Sequence, residues 1–168
     1  DRFRPLTFHD AVPRFRDGSD TPRAYLERCL ETIAAREPEV MAFASLNEAG
    51  ARDAADASTA RYKAGAPLSV IDGLPIGIKD LIETRDLPTE MGCAFYKGNR
   101  PGRDSASVQA LKQAGAVIVG KTVTTEMGMS HPGPTRHPFD LRRTPGGSSS
   151  GSGAVISARM LPAALGTQ

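Results

Sequence analysis

Apolar residues recur at helical spacing early in the chain, where Tyr25, Leu26, Cys29, Leu30 and Ile33 fall on one helix face. Ahead of them, Thr21 suits an N-cap and Pro22 a first helical position, where a missing N–H costs nothing. This predicts a helix that starts at Thr21 and ends by Pro38. A second, Ala-rich helix is expected from about Asn47 to Lys63, broken at Gly65 and Pro67, with small side chains that allow close packing. At Ile71 the pattern changes. IDGLPIGIKD mixes Gly, Pro and β-branched residues as a short buried strand flanked by turns would, with Lys79 at its end. Asp104 can cap a third helix bearing Val108, Leu111 and Ala114, Gly115 can close it, and Ala116 to Val119 read as a compact apolar strand. The stretch from Ser130 to Ser152 is dense in Pro, Gly and Ser and predicts a loop. From Ala154 to Leu165 the apolar pattern resumes, as a buried helix and strand leading into a turn. Helices first, then helix alternating with strand, predict an α/β fold. There is no repeat, linker or low-complexity tail.

Composition narrows the function classes. The 168 residues, 39% of them apolar, suffice for one core of ordinary domain size. A net charge of +2 with 24% charged residues demands no polyanionic partner, so nucleic-acid binding finds no support here. No apolar run approaches the ~20 residues of a membrane span, and the opening DRFRPLTFHD lacks the apolar centre of a signal peptide, so a cytoplasmic protein is expected. Cys29 and Cys93 lie outside any CxxC pattern and are too few for a disulfide framework or thiolate metal site, which fits a reducing compartment. His9, His131 and His137 form no HxxxH pair and read as surface or loop residues.

Two motifs carry possible chemistry. Residues 115–122, GAVIVGKT, match the phosphate-loop expression G-x-x-x-x-G-K-[ST] letter for letter. A phosphate-cradling loop follows its strand, whereas here Ala116 to Val119 are the strand, so their N–H groups belong to a sheet and no nucleotide site is expected. The second motif, at 143–168, is RTPGGSSSGSGAVISARMLPAALGTQ. Flexible linkers are also Gly/Ser-rich, but this one runs straight into an apolar stretch that must be buried. A Gly/Ser turn entering a buried helix offers N–H groups, hydroxyls and permissive angles, as an anion or oxyanion site requires. On the residues alone it is a binding loop, catalytic or not.

That stretch closely resembles the amidase signature, and GLPIGIKDLIETRDLPTEMG at 73–92 resembles the lysine block of the same family. Between them, GAVIVGKTVTTEMGM at 115–129 and PGPTRHPFD at 132–140 are also similar, while the first seventy residues resemble the family only loosely. The resemblance implies the front of the α/β amidase-signature fold: a helical segment over 1–70, then the first part of a mixed β-sheet core flanked by helices over 71–168. It implies hydrolysis of a carboxylic amide through an acyl-enzyme, by a Lys-Ser-Ser triad without metal or cofactor. Lys79 falls on the catalytic lysine. Ser148 falls on the bridging serine, which in the family follows a cis peptide bond, and Gly146, Gly147 and Ser149 shape its loop. Thr167, beside Gln168, matches a threonine that donates a hydrogen bond near the nucleophile. Met91, Gly92 and Cys93 match a loop bordering the substrate, with Cys93 as lining rather than nucleophile. Glu126 is either a titrating group of the site or a capping or ion-paired glutamate.

In the implied mechanism a neutral Lys79 deprotonates Ser148, which deprotonates the nucleophile. A lysine can do so near neutral pH only if burial disfavours its ammonium form, and Ile76, Ile78, Leu81 and Ile82 are suitably apolar neighbours. Two features depart from the family. Ser150 stands where glycine is usual, and the family's nucleophile and oxyanion amides lie in a T-G-G-S just past the position of Gln168. The expectation is therefore a chain that continues with the nucleophile. The implied partner is a small-molecule amide, with no direct nucleic-acid or membrane contact and room for a homodimer. The alternatives are the glutaminase subunit of a tRNA-dependent amidotransferase and a non-catalytic binding module that keeps the signature loop.

Overall fold

A computed structural model describes residues 7–168, so most of the opening segment judged for a signal peptide lies outside the described residues. The elements are α1 (Phe8–Asp17), α2 (Pro22–Val40), β1 (Phe43–Leu46), α3 (Glu48–Lys63), β2 (Pro75–Lys79), α4 (Ala106–Gln113), β3 (Val117–Thr122), α5 (Ser150–Ser157) and β4 (Ala163–Leu165). The strands form one sheet in the order β1-β3-β2-β4. β2 runs parallel to both β3 and β4, and β1 is antiparallel to β3. The expected α/β fold with a mixed sheet is what the chain adopts.

Helix α2 begins as its sequence predicts. Thr21 Oγ1 accepts the Ala24 N–H at 3.1 Å, and Tyr25, Leu26, Cys29, Leu30 and Ile33 are buried. It does not end by Pro38 but runs on to Val40. Pro38 sits exposed in the last turn, where its missing N–H removes a single backbone bond. The stop is made instead by Met41 in the left-handed region, whose N–H bonds Glu37 O at 2.9 Å. The Glu37 carboxylate then accepts the N–H groups of Ala42 at 3.0 Å and Phe43 at 2.8 Å, turning the chain into β1.

The small face of α3 (Ala51, Ala55, Ser58) is buried, and the helix packs on α2 and β3. At α4 the cap is Ser105, not Asp104. Ser105 Oγ accepts the Val108 N–H at 3.3 Å, while Asp104 accepts the Arg85 N–H at 2.7 Å and pairs with Lys112 at 3.0 Å. Adjacent residues that can both cap are resolved by which one has a competing partner. Strand β3 extends past the predicted apolar run to Thr122 and is buried throughout.

Helix α5 starts at Ser150, inside the stretch predicted as loop. Its Gly/Ser start is a packing requirement: a Cβ on Gly151 would lie 2.3 Å from both Ala42 O and Val123 N, and the Gly151 N–H bonds Val123 O at 2.8 Å. Only a glycine lets the helix lie directly on the strand backbone. One core joins the layers, with Leu26, Val40, Ile78, Val117, Val119, Val155 and Leu161 at its centre. Phe8, Phe15, Tyr25 and Tyr62 pack edge to face within it, with Phe15 and Tyr62 ring centroids 5.4 Å apart.

Candidate active site

The parallel strands β2, β3 and β4 end at one side of the sheet, and the predicted site residues gather there. Lys79 is the last residue of β2, in register with Thr122, the last of β3. β4 ends at Leu165, and the chain turns through Gly166 to Thr167. Lys79 is fully buried, and its Nζ donates to Ser148 Oγ and to Thr167 Oγ1, each at 2.6 Å. Among the described residues no carboxylate pairs with it. Burial alone holds its pKa below the ordinary lysine value.

Ser148 is set by its backbone. Gly146 adopts a left-handed φ of 84°, and the Gly147–Ser148 peptide is cis. A Cβ on Gly147 would lie 2.5 Å from Thr125 Cγ2, so the loop crosses close over the end of β3. The Ser148 carbonyl accepts the Thr125 N–H at 3.0 Å and the Thr124 hydroxyl at 3.2 Å.

The other serines act as clamps. Ser149 Oγ accepts the Thr167 N–H at 3.2 Å and donates to Thr167 O at 3.1 Å. Ser150 Oγ donates to Val123 O at 3.3 Å, so the serine that replaces the family's usual glycine points into the sheet. Ser152 Oγ joins Leu165 O at 3.1 Å and Thr122 Oγ1 at 2.7 Å. Gln168 is exposed beyond Thr167.

Met91 and Gly92 lie on the flank. The Met91 N–H bonds Asp80 O at 3.0 Å, and Met91 O accepts the Met127 N–H at 2.7 Å. Gly92 sits so close to Thr124 that a Cβ would be 3.0 Å from Thr124 O. Cys93 is buried next to them, in the lining of a cavity of about 380 Å³ shared with Asp80, Glu90 and Thr124. Neither Lys79 nor Ser148 lines that cavity. The same holds for a second cavity of about 340 Å³ between α3 and α4. Glu126 opens a short 3₁₀ turn, where its N–H bonds His131 O at 2.9 Å, and no ion pair to its carboxylate occurs among the described residues.

Sequence reasoning missed the buried pair behind this flank. Lys121, the lysine of the phosphate-loop look-alike, lies in β3 and reaches Asp80 at 3.0 Å. No local signal marked it: the predicted apolar run ended at Val119, and Asp80 and Lys121 meet because β2 and β3 run parallel. It also missed Thr124 and Thr125 as supports of Ser148. Among the described residues no group of His, Cys, Asp and Glu is placed to hold a metal ion, and no helix is long and apolar enough to cross a membrane.

Fold and site together define an α/β protein with a buried lysine hydrogen-bonded to hydroxyls at the ends of parallel strands. The chain belongs to the amidase family, whose model, described as Amidase, matches residues 24–168. It is 39% identical to the A subunit of Glutamyl-tRNA(Gln) amidotransferase from Myxococcus xanthus, over 96% of this chain and 35% of the relative. A crystal structure of an amidase superposes with a TM-score of 0.87 at 32% identity, over 97% of this chain and 38% of the other. The peptide amidase of Stenotrophomonas maltophilia gives a TM-score of 0.86 at 28% identity, over 93% and 34%. The chain thus spans about a third of the length of these relatives. The amidase-signature resemblance is borne out at the level of the family, which includes amidases and amidotransferase subunits.

Proposed function

We propose that the full-length protein is an amide hydrolase of the Ser-cisSer-Lys type, acting in the cytoplasm on a small carboxylic amide. The observation that carries this is the 2.6 Å contact between Lys79 Nζ and Ser148 Oγ, in a buried setting where, among the described residues, no carboxylate pairs with the amine. A serine hydroxyl is a poor nucleophile until a base within hydrogen-bond reach takes its proton. In this reading neutral Lys79 accepts the proton of Ser148 Oγ as Ser148 accepts that of a nucleophilic serine carried by the polypeptide beyond these residues. The nucleophile attacks the amide carbon, the C–N bond breaks, and the amine leaves with the proton returned through the same relay. Water then hydrolyses the acyl ester. Thr167 Oγ1, the second acceptor of Lys79, holds the amine in line with Ser148.

The test is release of amine or ammonia from a panel of aliphatic and aryl amides by the full-length protein, compared with Lys79→Ala. Removing a general base costs about 10²–10⁴ in rate, and a variant with near-full activity sinks the assignment. The 39% identity to a subunit of an amidotransferase favours one second reading, a glutaminase that hands ammonia to a partner. Ammonia release from glutamine only after a partner protein is added would select it, and robust turnover of simple amides by the protein alone would exclude it.

A further inference from the structure

The relay proposed above makes no use of the Asp80–Lys121 pair, yet both side chains are almost completely enclosed, at 2% and 0% exposure. Taking two charges out of water is costly, and apolar residues of similar size often serve stability as well. Such a pair needs a reason beyond filling the core, and its hydrogen bonds supply one. Lys121 Nζ donates to Pro88 O at 3.1 Å and to Thr89 Oγ1 at 2.8 Å. Asp80 Oδ2 accepts the Glu90 N–H at 3.1 Å, and Asp80 O accepts the Met91 N–H at 3.0 Å. Every residue from Pro88 to Met91 is therefore tied to one member of the pair. Asp80 is itself anchored, its N–H bonding Thr122 O at 2.9 Å. The chain then turns through Cys93, whose N–H bonds Glu90 O at 3.0 Å, with Gly92 against Thr124.

We propose that the Asp80–Lys121 pair is a positioning device: it clips the 88–93 loop onto the strand ends that carry Lys79 and Thr122, and so fixes one wall of the site. Lys121 and Asp80 act through the loop and touch no reacting atom. The statement about the site wall rests on the amide-hydrolase reading, whereas the clipping of the loop does not.

The experiment uses the full-length protein with Thr89→Val, Lys121→Met and the double variant Asp80→Asn/Lys121→Met. Iodoacetamide modification is followed by peptide mapping at Cys93, on the clipped loop, and at Cys29, enclosed in α2 as an internal reference. Loss of one hydrogen bond to a charged group should make loop opening easier and raise the Cys93 rate about ten-fold or more, with Cys29 still protected. On an amide substrate KM should rise more than kcat falls. The double variant leaves no unpaired buried charge, so it should regain thermal stability relative to Lys121→Met while Cys93 stays reactive. Two outcomes overturn the clip: Cys93 still protected in the folded Thr89→Val and double variants, or Cys93 and Cys29 becoming reactive together. A labile Cys93 with unchanged KM overturns the site wall. If the wild-type protein turns over no amide, the functional reading fails separately, and the thiol rates still decide whether the loop is clipped.

Discussion

Lys79→Met separates the energetics of the buried amine from the chemistry proposed for it. Methionine keeps the length and apolar stem but cannot be protonated. The variant deprives Ser148 Oγ and Thr167 Oγ1 of their donor. Because Ser148 is half-buried and Thr167 exposed, water can replace part of that loss, which should stay near ~1 kcal/mol per hydroxyl. The opposing effect depends on pH. Burial lowers the folded-state pKa of Lys79 from 10.5, so between the two values the unfolded chain binds a proton that the folded chain does not. Wild-type stability therefore rises with pH across that window, at up to about 1.4 kcal/mol per pH unit, and is lost as pH falls through it. The methionine variant has no such window. Relative to wild type it should therefore gain stability as pH falls from about 10 through that window. Urea unfolding of both full-length proteins across these pH values measures the difference. A stability difference that does not change with pH would show that Lys79 is not held neutral by burial, and would remove the physical basis for a neutral base.

Two further predictions concern the Gly/Ser segment. Ser148→Ala should lower amide turnover by about 10²-fold or more; Ser149→Ala should cost less, by freeing the Thr167 backbone, and Ser150→Ala should cost ~1 kcal/mol of stability with little change in rate, since it loses one buried bond to Val123 O. Equal rate losses at all three, measured under single-turnover conditions, would mean that the loop matters only as a scaffold. Gly151→Ala should destabilise the protein by ~1–3 kcal/mol or more, because a Cβ 2.3 Å from two backbone atoms forces α5 off β3; an unchanged thermal midpoint would contradict this packing.

Elements with a strong local signal were legible in the sequence, and those made by tertiary context were not. α2 and α3 have long apolar or small-residue faces and lie within a few residues of their predicted spans. α1 was missed although Phe8, Ala11 and Phe15 are buried on it, because Pro13 interrupts a short and otherwise polar pattern. β1 is four residues long and half-buried at an edge, so Phe43 and Leu46 alone could not mark it as a strand. Lys79 and Ser148 were singled out through the blocks around them, and the structure brings these two side chains together across 69 residues of chain. The Asp80–Lys121 pair had no local pattern to betray it; its partners meet only because β2 and β3 run parallel.

That parallel arrangement also explains how a lysine can be buried here without a counter-ion among the described residues. In open α/β sheets, sites form where the carboxyl ends of strands meet. At this edge Lys79 ends β2, Thr122 ends β3, and Thr167 follows β4, so the amine meets the Ser148 and Thr167 hydroxyls rather than carboxylates. The nearest acidic residue in sequence, Asp80, is held away by Lys121. Strand alternation places Asp80 and Lys79 on opposite faces of the sheet end, and the register of Ile78 with Lys121 puts Lys121 on the face of Asp80. The dipeptide Lys79-Asp80 thereby sorts its two titratable side chains to two sides: Asp80 is paired with Lys121 where it braces a loop, and Lys79 is left with hydroxyl partners that carry no opposing charge. Replacing Lys121 by an apolar residue would remove the charge that opposes the effect of burial on Asp80, so its carboxyl would be pushed further toward the neutral form and would not become a counter-ion for Lys79.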